Sequence, residues 1–145
     1  MSFHQQSWAA REGKLGDEAE GVFFSLHPNS VKYGLDRPPI NLAKVPAFIR
    51  YTPDFLMHNR LVEVMGLGRD GLLKLKVDKL VALNRWGNIF PVSLFVWNSH
   101  RQVWAMVDLV DVNVAAELSQ ELQFPEGKPY YSINLDQHNW TWVDA

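Results

Sequence analysis

Tyr51-Thr-Pro-Asp54-Phe-Leu-Met-His58-Asn59-Arg60-Leu61-Val-Glu63-Val-Met-Gly66 reads as two apolar, strand-like runs joined by a short polar turn, His58–Arg60. Each run carries one carboxylate, and the two lie nine positions apart. Folded as a hairpin, the stretch brings Asp54 and Glu63 together at one edge of a sheet. Like charges at short range disfavour ionisation, so two adjacent buried acids are costly. A divalent cation removes that cost, and Mg²⁺ is commonly held by one or two carboxylates together with water and phosphate oxygens. The pair therefore points to a metal site suited to phosphodiester chemistry.

The chain around it has the size and composition of one globular domain: 145 residues, 47% apolar and 12% aromatic. It has no cysteine, which excludes disulfides and thiolate zinc sites. The five histidines are scattered, with no H-x-x-x-H pair, which argues against a histidine-rich zinc site. No apolar run approaches the roughly 20 residues that span a bilayer. The sequence Met1-Ser-Phe-His-Gln-Gln has neither a basic n-region nor an apolar h-region, so a cytoplasmic protein without membrane attachment is expected. The net charge of −2 does not advertise nucleic-acid binding. Arg69, Lys74, Lys76, Lys79 and Arg85 nevertheless fall within 17 residues, either as a basic surface or as a solvated helix face.

Residues 1–13 are polar and read as irregular. Leu15, Ala19, Val22, Phe23 and Leu26 recur at steps of three and four, predicting a helix from Lys14 to Leu26 that stops at His27-Pro28. Three prolines and a glycine in 32–46 predict a loop, with an edge strand near Ile40-Asn-Leu. Ala47–Tyr51, Asp54–Met57 and Leu61–Met65 read as strands. Gly66-Leu-Gly68-Arg-Asp70-Gly71 breaks the chain, and Asp70 is a plausible N-cap for a helix running to about Trp86. Ile89–Trp97 and Gln102–Val112 read as a hairpin turning at Asn98–Arg101, followed by a short helix over Val114–Leu122. The aromatic tail, with Tyr130, Tyr131, Trp140 and Trp142, is expected to fill the core or an interface. The order predicts an α/β (α+β) fold with a mixed sheet in one domain.

A nuclease site of this kind needs a cation to orient the attacking water and offset charge on the phosphorus. The position two residues after Glu63 shares its strand face, but it is Met65. On a helix through 73–84, the stripe Leu73, Val77 and Leu80 includes Lys76, which is the first candidate; its alternative role is to extend its stem along the stripe to solvent. Lys74 is the second candidate.

These residues resemble the PD-(D/E)XK nuclease superfamily. Pro53-Asp54 looks like its PD element, and Glu63-Val64-Met65 like its (D/E)XK element with the lysine displaced. The element order over about 14–97 resembles the superfamily's αβββαβ restriction-endonuclease-like core. The wording of 63–76 is similar to small bacteriophage-encoded members, which implies the host cytoplasm as location. The resemblance implies Mg²⁺ or Mn²⁺ on Asp54, Glu63 and the Val64 carbonyl. It also implies hydrolysis of DNA, less often RNA, and a further acid on the first helix. That acid is Glu20, or else Glu18, by the G-x-x-x-E spacing from Gly16; a solvated glutamate is the plainer reading. Arg69 and Lys74, with Tyr33, Arg37 and Arg50, are candidates for phosphate contacts. A structure- or end-directed nuclease is expected, and a homodimer is compatible with the resemblance but not shown by the sequence.

Two other readings compete. One is a module that kept the fold, lost the lysine, and binds nucleic acid or a protein without cutting. The other is a structural protein in which Asp54 and Glu63 cap a hairpin or pair with Arg50 and Arg60 at the surface. The G-x-G-x-x-G spacing over Gly66–Gly71 is not a dinucleotide fingerprint, because no acid ends a following strand about 20 residues on.

Overall fold

Successive side chains of a strand leave opposite faces, and strand β3 (Leu61–Leu67) is divided in this way between two cores. The computed structural model describes residues 8–35 and 40–145, with the side chains of 8–15 and 43 left aside. Val62 and Val64 pack with Phe55, Phe95 and Trp97 beneath helix α1 (Trp8–Leu26), against its Ala19 and Phe23. Leu61 and Leu67 belong to the larger core on the other face, together with Leu80 and Leu83 of helix α3 (Val77–Gly87) and Val112 of helix α4 (Leu109–Glu117). Glu63 and Met65 share that second face by the same alternation.

The main sheet has six strands in the order β1 (Val31–Lys32), β2 (Phe55–Leu56), β3, β5 (Val92–Asn98), β6 (Val103–Asp108) and β9 (Val143–Asp144). Among the described residues only β3 and β5 run parallel, from Leu61 opposite Val92 to Leu67 opposite Asn98. A parallel pair requires a crossover connection, and the segment holding β4 (Leu72–Lys76) and α3 supplies it. Strand β4 lies in a second, antiparallel sheet, ordered β4, β8 (Pro129–Asn134), β7 (Gln120–Gln123). The fold is α+β with a mixed central sheet and, among the described residues, four α-helices. The order along the chain is α1, β1, a 3-10 turn, a one-turn helix, β2, β3, β4, α3, β5, which differs from the expected αβββαβ succession by the helical insertion between β1 and β2 and by β4. The hairpin β5–β6 turns at the predicted place.

Several elements differ from the sequence expectation. The first helix covers Trp8–Leu26, longer at its start than the expected Lys14–Leu26. Ala47–Tyr51 is not a strand: Pro46 fixes the chain at the start of a one-turn helix, α2 (Ala47–Arg50), and its carbonyl accepts from the N–H groups of Ile49 and Arg50. The edge strand is β1, while 42–44 form a 3-10 turn. The helix expected from Asp70 to Trp86 is divided. Leu73 and Leu75 are buried and Lys74 and Lys76 half-buried, a period of two that pairs with β8, and the helix starts at Val77. Asp70 caps no helix; its Oδ1 accepts from the Leu72 N–H in the turn, where Gly71 takes a φ of 70°. Strand β6 ends at Asp108, α4 starts five residues earlier than the helix expected at Val114, and Gln120–Gln123 are strand. Trp140 and Trp142 are half-buried against the larger core.

The loop after β1 is fixed to the segment that carries Asp54. The N–H groups of Tyr33 and Gly34 donate to the Asp54 carbonyl at 2.9 and 3.2 Å. A Cβ at Gly34 would lie 2.7 Å from the Pro53 carbonyl oxygen and 2.8 Å from that of Thr52. Gly34→Ala is therefore expected to cost about 1–3 kcal/mol through forced backbone movement. Thermal unfolding checks this, and an unchanged midpoint would refute the close packing described.

Candidate metal centre

Register places the two acids. Phe55 pairs with Val62 and Leu56 with Leu61; one step further along the same antiparallel ladder sets Asp54 opposite Glu63. Directly opposed residues have Cβ atoms about 4.5–5.5 Å apart. Asp54 lies just beyond the end of β2, so the Val64 N–H finds no strand partner there and donates to Asp54 Oδ2 at 2.8 Å. The N–H and C=O of one strand residue point to the same side, because hydrogen-bonded pairs exchange both. The Val64 carbonyl therefore also faces the Asp54 side.

Glu63 is only 4% exposed. Its Oε2 accepts from Lys79 Nζ at 3.0 Å, and its Oε1 is buried with no hydrogen-bond partner. Lys79, and not Lys76 or Lys74, is the lysine brought to the carboxylates. It sits in the first turn of α3, where the helix dipole disfavours a cation; the Glu63 contact offsets that penalty. Its Nζ also lies 5.6 Å from the Tyr51 ring centroid. Lys76 ends β4 opposite Tyr130, with its ammonium 5.9 Å from the Phe124 ring. Lys74 pairs with Asp70 at 3.7 Å. Both were assigned to a helix that does not exist there. Once the alternation of 73–76 is read as strand, Lys79 falls four residues before buried Leu83, on the inward face of α3, which is the signal that identifies it.

The remaining candidates are placed as follows. Glu20 is ion-paired with Lys32 at 2.7 Å, on α1, which covers the sheet face opposite Glu63. Glu18 accepts from Trp97 Nε1 (3.0 Å) and Ser99 Oγ (2.7 Å). Among the described residues no third Asp, Glu or His joins the pair. Arg50 stacks over Tyr51 at 4.9 Å, and its Nε is buried without a partner. Arg69 is exposed in the β3–β4 turn, in a cavity of about 200 Å³ with His100 and Arg101. Arg37 lies outside the described residues. Arg60 bonds Ser93 and Asp108, not Glu63, so the surface ion-pair reading of the two acids has no counterpart among these contacts.

Burial first, and then the charge of Glu63, push the Asp54 carboxyl up to about 8; the Val64 N–H and Lys79 oppose the rise. The shift favours the protonated form of Asp54 near neutral pH. Burial alone would lower Lys79, but the Glu63 charge and hydrogen bond, with Asp54 and Tyr51, outweigh it and hold the ammonium above the ordinary lysine range. The donor set suits a hard divalent cation. Two carboxylates and one carbonyl face one side of β3, the form favoured at Asp54 bears a proton that a cation would displace, and Glu63 Oε1 lacks a partner that a cation would supply. No protein-family model, curated protein or solved structure matches the chain.

The raised Asp54 carboxyl fixes a pH dependence. Its folded value exceeds the unfolded one, so between the ordinary 3.8 and about 8 the folded state holds a proton that the unfolded chain has released. Stability from this group therefore falls as pH rises through that window. Asp54→Asn keeps the acceptor for Val64 and removes the titration. With EDTA present, the variant should unfold at a higher temperature than wild type above pH 8 and show a flatter profile below it. Parallel profiles would contradict the coupled pair.

Proposed function

We propose that the chain is a metal-dependent nuclease, with Asp54, Glu63 and the Val64 carbonyl holding Mg²⁺ or Mn²⁺ and Lys79 as the active-site lysine. The observation that carries this reading is the Asp54–Glu63 pair, Asp54 half-buried and Glu63 buried, with one Glu63 oxygen lacking a hydrogen-bond partner and a lysine ammonium 3.0 Å from the other. The resemblance to the PD-(D/E)XK superfamily supports it, and α3 supplies from a helix the cation that Met65 cannot supply from the strand. The substrate class is DNA, with RNA as the second possibility, and a homodimer that cuts two strands is consistent with it.

A bound Mg²⁺ or Mn²⁺ would lower the pKa of a water and neutralise phosphate charge. In hydrolysis the water oxygen bonds to phosphorus, an ester P–O bond breaks, and the water's proton passes to solvent as the leaving oxygen is protonated. Lys79 remains an ammonium, so it acts as a hydrogen-bond donor and charge, not as a base. It can orient the water and stabilise negative charge on the non-bridging oxygens. Its bond to Glu63 keeps it fixed before substrate arrives. The Val64 N–H holds Asp54 in the orientation that binding needs.

The test is cleavage of single-stranded, duplex, flap and four-way-junction DNA, and of RNA, with EDTA, Mg²⁺ or Mn²⁺. Metal-dependent cutting is expected. Asp54→Asn should abolish it, and Lys79→Met should slow it by about 100-fold or more, the scale of losing one preorganised donor. Lys76→Ala should cut as wild type does. Equal rates in wild type and Lys79→Met would reject Lys79 as the active-site lysine. Metal binding without cleavage of any substrate would favour a non-cutting nucleic-acid-binding module.

A further inference from the structure

The loop and helices beside the metal centre carry aromatic rings and cations in one continuous group. Helices α2 and α3 meet through Phe48 and Trp86, whose rings stack at 4.5 Å and 17°, and Trp86 Nε1 donates to the Phe48 carbonyl at 2.9 Å. Tyr33 stands edge-on to Trp86 at 5.8 Å and is 42% exposed. Its backbone N–H is bonded to the Asp54 carbonyl, which fixes the ring's loop to the segment that carries Asp54. Arg85 is exposed, with its guanidinium 4.7 Å from the Phe48 ring, and Arg50 and Lys79 both lie against the Tyr51 ring. Lys79 and Trp86 are two turns apart on one line of α3, about 10 Å at 1.5 Å per residue. The group therefore leads from the carboxylates to Arg85 with a cation at each end and an open ring between.

From this juxtaposition we infer that Tyr33, Arg50 and Arg85 form a binding track for an unpaired nucleic-acid strand, delivering it to the Asp54–Glu63 site. Single strands are held by cations that follow the phosphates and by rings on which bases stack. The faces of duplex bases are already covered by their neighbours, so an exposed ring next to the site adds nothing to duplex binding. Duplex binding draws instead on many phosphate contacts, and a chain of net charge −2 with three cations here is poorly supplied for that. The Phe48–Trp86 stack acts as the rigid support; Tyr33 and Arg85, both exposed, are the groups a ligand meets, and half-buried Arg50 continues the line of positive charge toward the carboxylates. The inference rests on the nuclease reading and names its substrate class; its test does not require catalysis.

Fluorescence anisotropy in EDTA, at about 50 mM salt, would compare labelled oligothymidylate of about 12 nucleotides, oligouridylate of the same length, and a blunt duplex. At least one single strand should bind about tenfold or more tightly than the duplex. Tyr33→Ala should weaken that binding about tenfold, the scale of one lost stacking contact, and Tyr33→Phe should retain it. Arg85→Gln should weaken it and reduce its salt dependence. Equal or tighter duplex binding, or unchanged single-strand affinity in both Tyr33→Ala and Arg85→Gln, overturns the inference. Asp54→Asn separates the two readings. If this variant and wild type both bind single strands and wild type cuts nothing with either metal, the nuclease reading fails and the track stands. If wild type cuts but prefers duplex, the track alone fails.

Discussion

Asp54 and Glu63 face one another across the last step of an antiparallel register, Glu63 buried and Asp54 half-buried, and much of the surrounding architecture answers the cost of that arrangement. The Val64 N–H binds one carboxylate and Lys79 binds the other. A proton on Asp54 removes the second charge. Each of these is a partial remedy, and one Glu63 oxygen is left without any. A purely structural core would be more stable with apolar residues at both positions, because buried ionic groups seldom improve on well-packed hydrophobic ones. That residual cost is the physical ground of the proposed cation site.

The fold explains how so polar a cluster is held. Strand β3 uses one face to bind α1 and the other to line the larger core, so its backbone is fixed on both sides. Strand β2 is only two residues long, and its early end frees the Val64 backbone for a side chain instead of a strand. The loop carrying Tyr33 and Gly34 then fastens to the Asp54 carbonyl, with no room for a Cβ at Gly34. Helix α3 brings Lys79 over the same edge. The second sheet determines where α3 begins, since β4 must pair with β8 before the helix can start.

The hairpin and its two acids were legible in the sequence, because alternation, a polar turn and a fixed spacing define register locally. The mixed α+β class and the β5–β6 hairpin were legible for the same reason. The lysine was not. Leu73, Val77 and Leu80 fit a helical period as well as Leu73 and Leu75 fit a strand, and the choice is made by pairing with β8, more than fifty residues away. Placing the helix start at Asp70 instead of Val77 rotated the inward face from Lys79 to Lys76. Strand Ala47–Tyr51 failed differently: its apolar content suits a strand, but Pro46 starts a helical turn that brings Phe48 onto Trp86. Contacts between distant segments, such as Tyr33 with Trp86, leave no local mark in sequence.

The most direct test of a cation site built on coupled carboxyls is calorimetric titration of Mn²⁺ at pH 7 in two buffers of different ionisation enthalpy, which counts protons released on binding. The account predicts one Mn²⁺ per chain, release of close to one proton from Asp54, and loss of both in Asp54→Asn. Absence of binding, or binding that releases no proton and persists in Asp54→Asn, would contradict it.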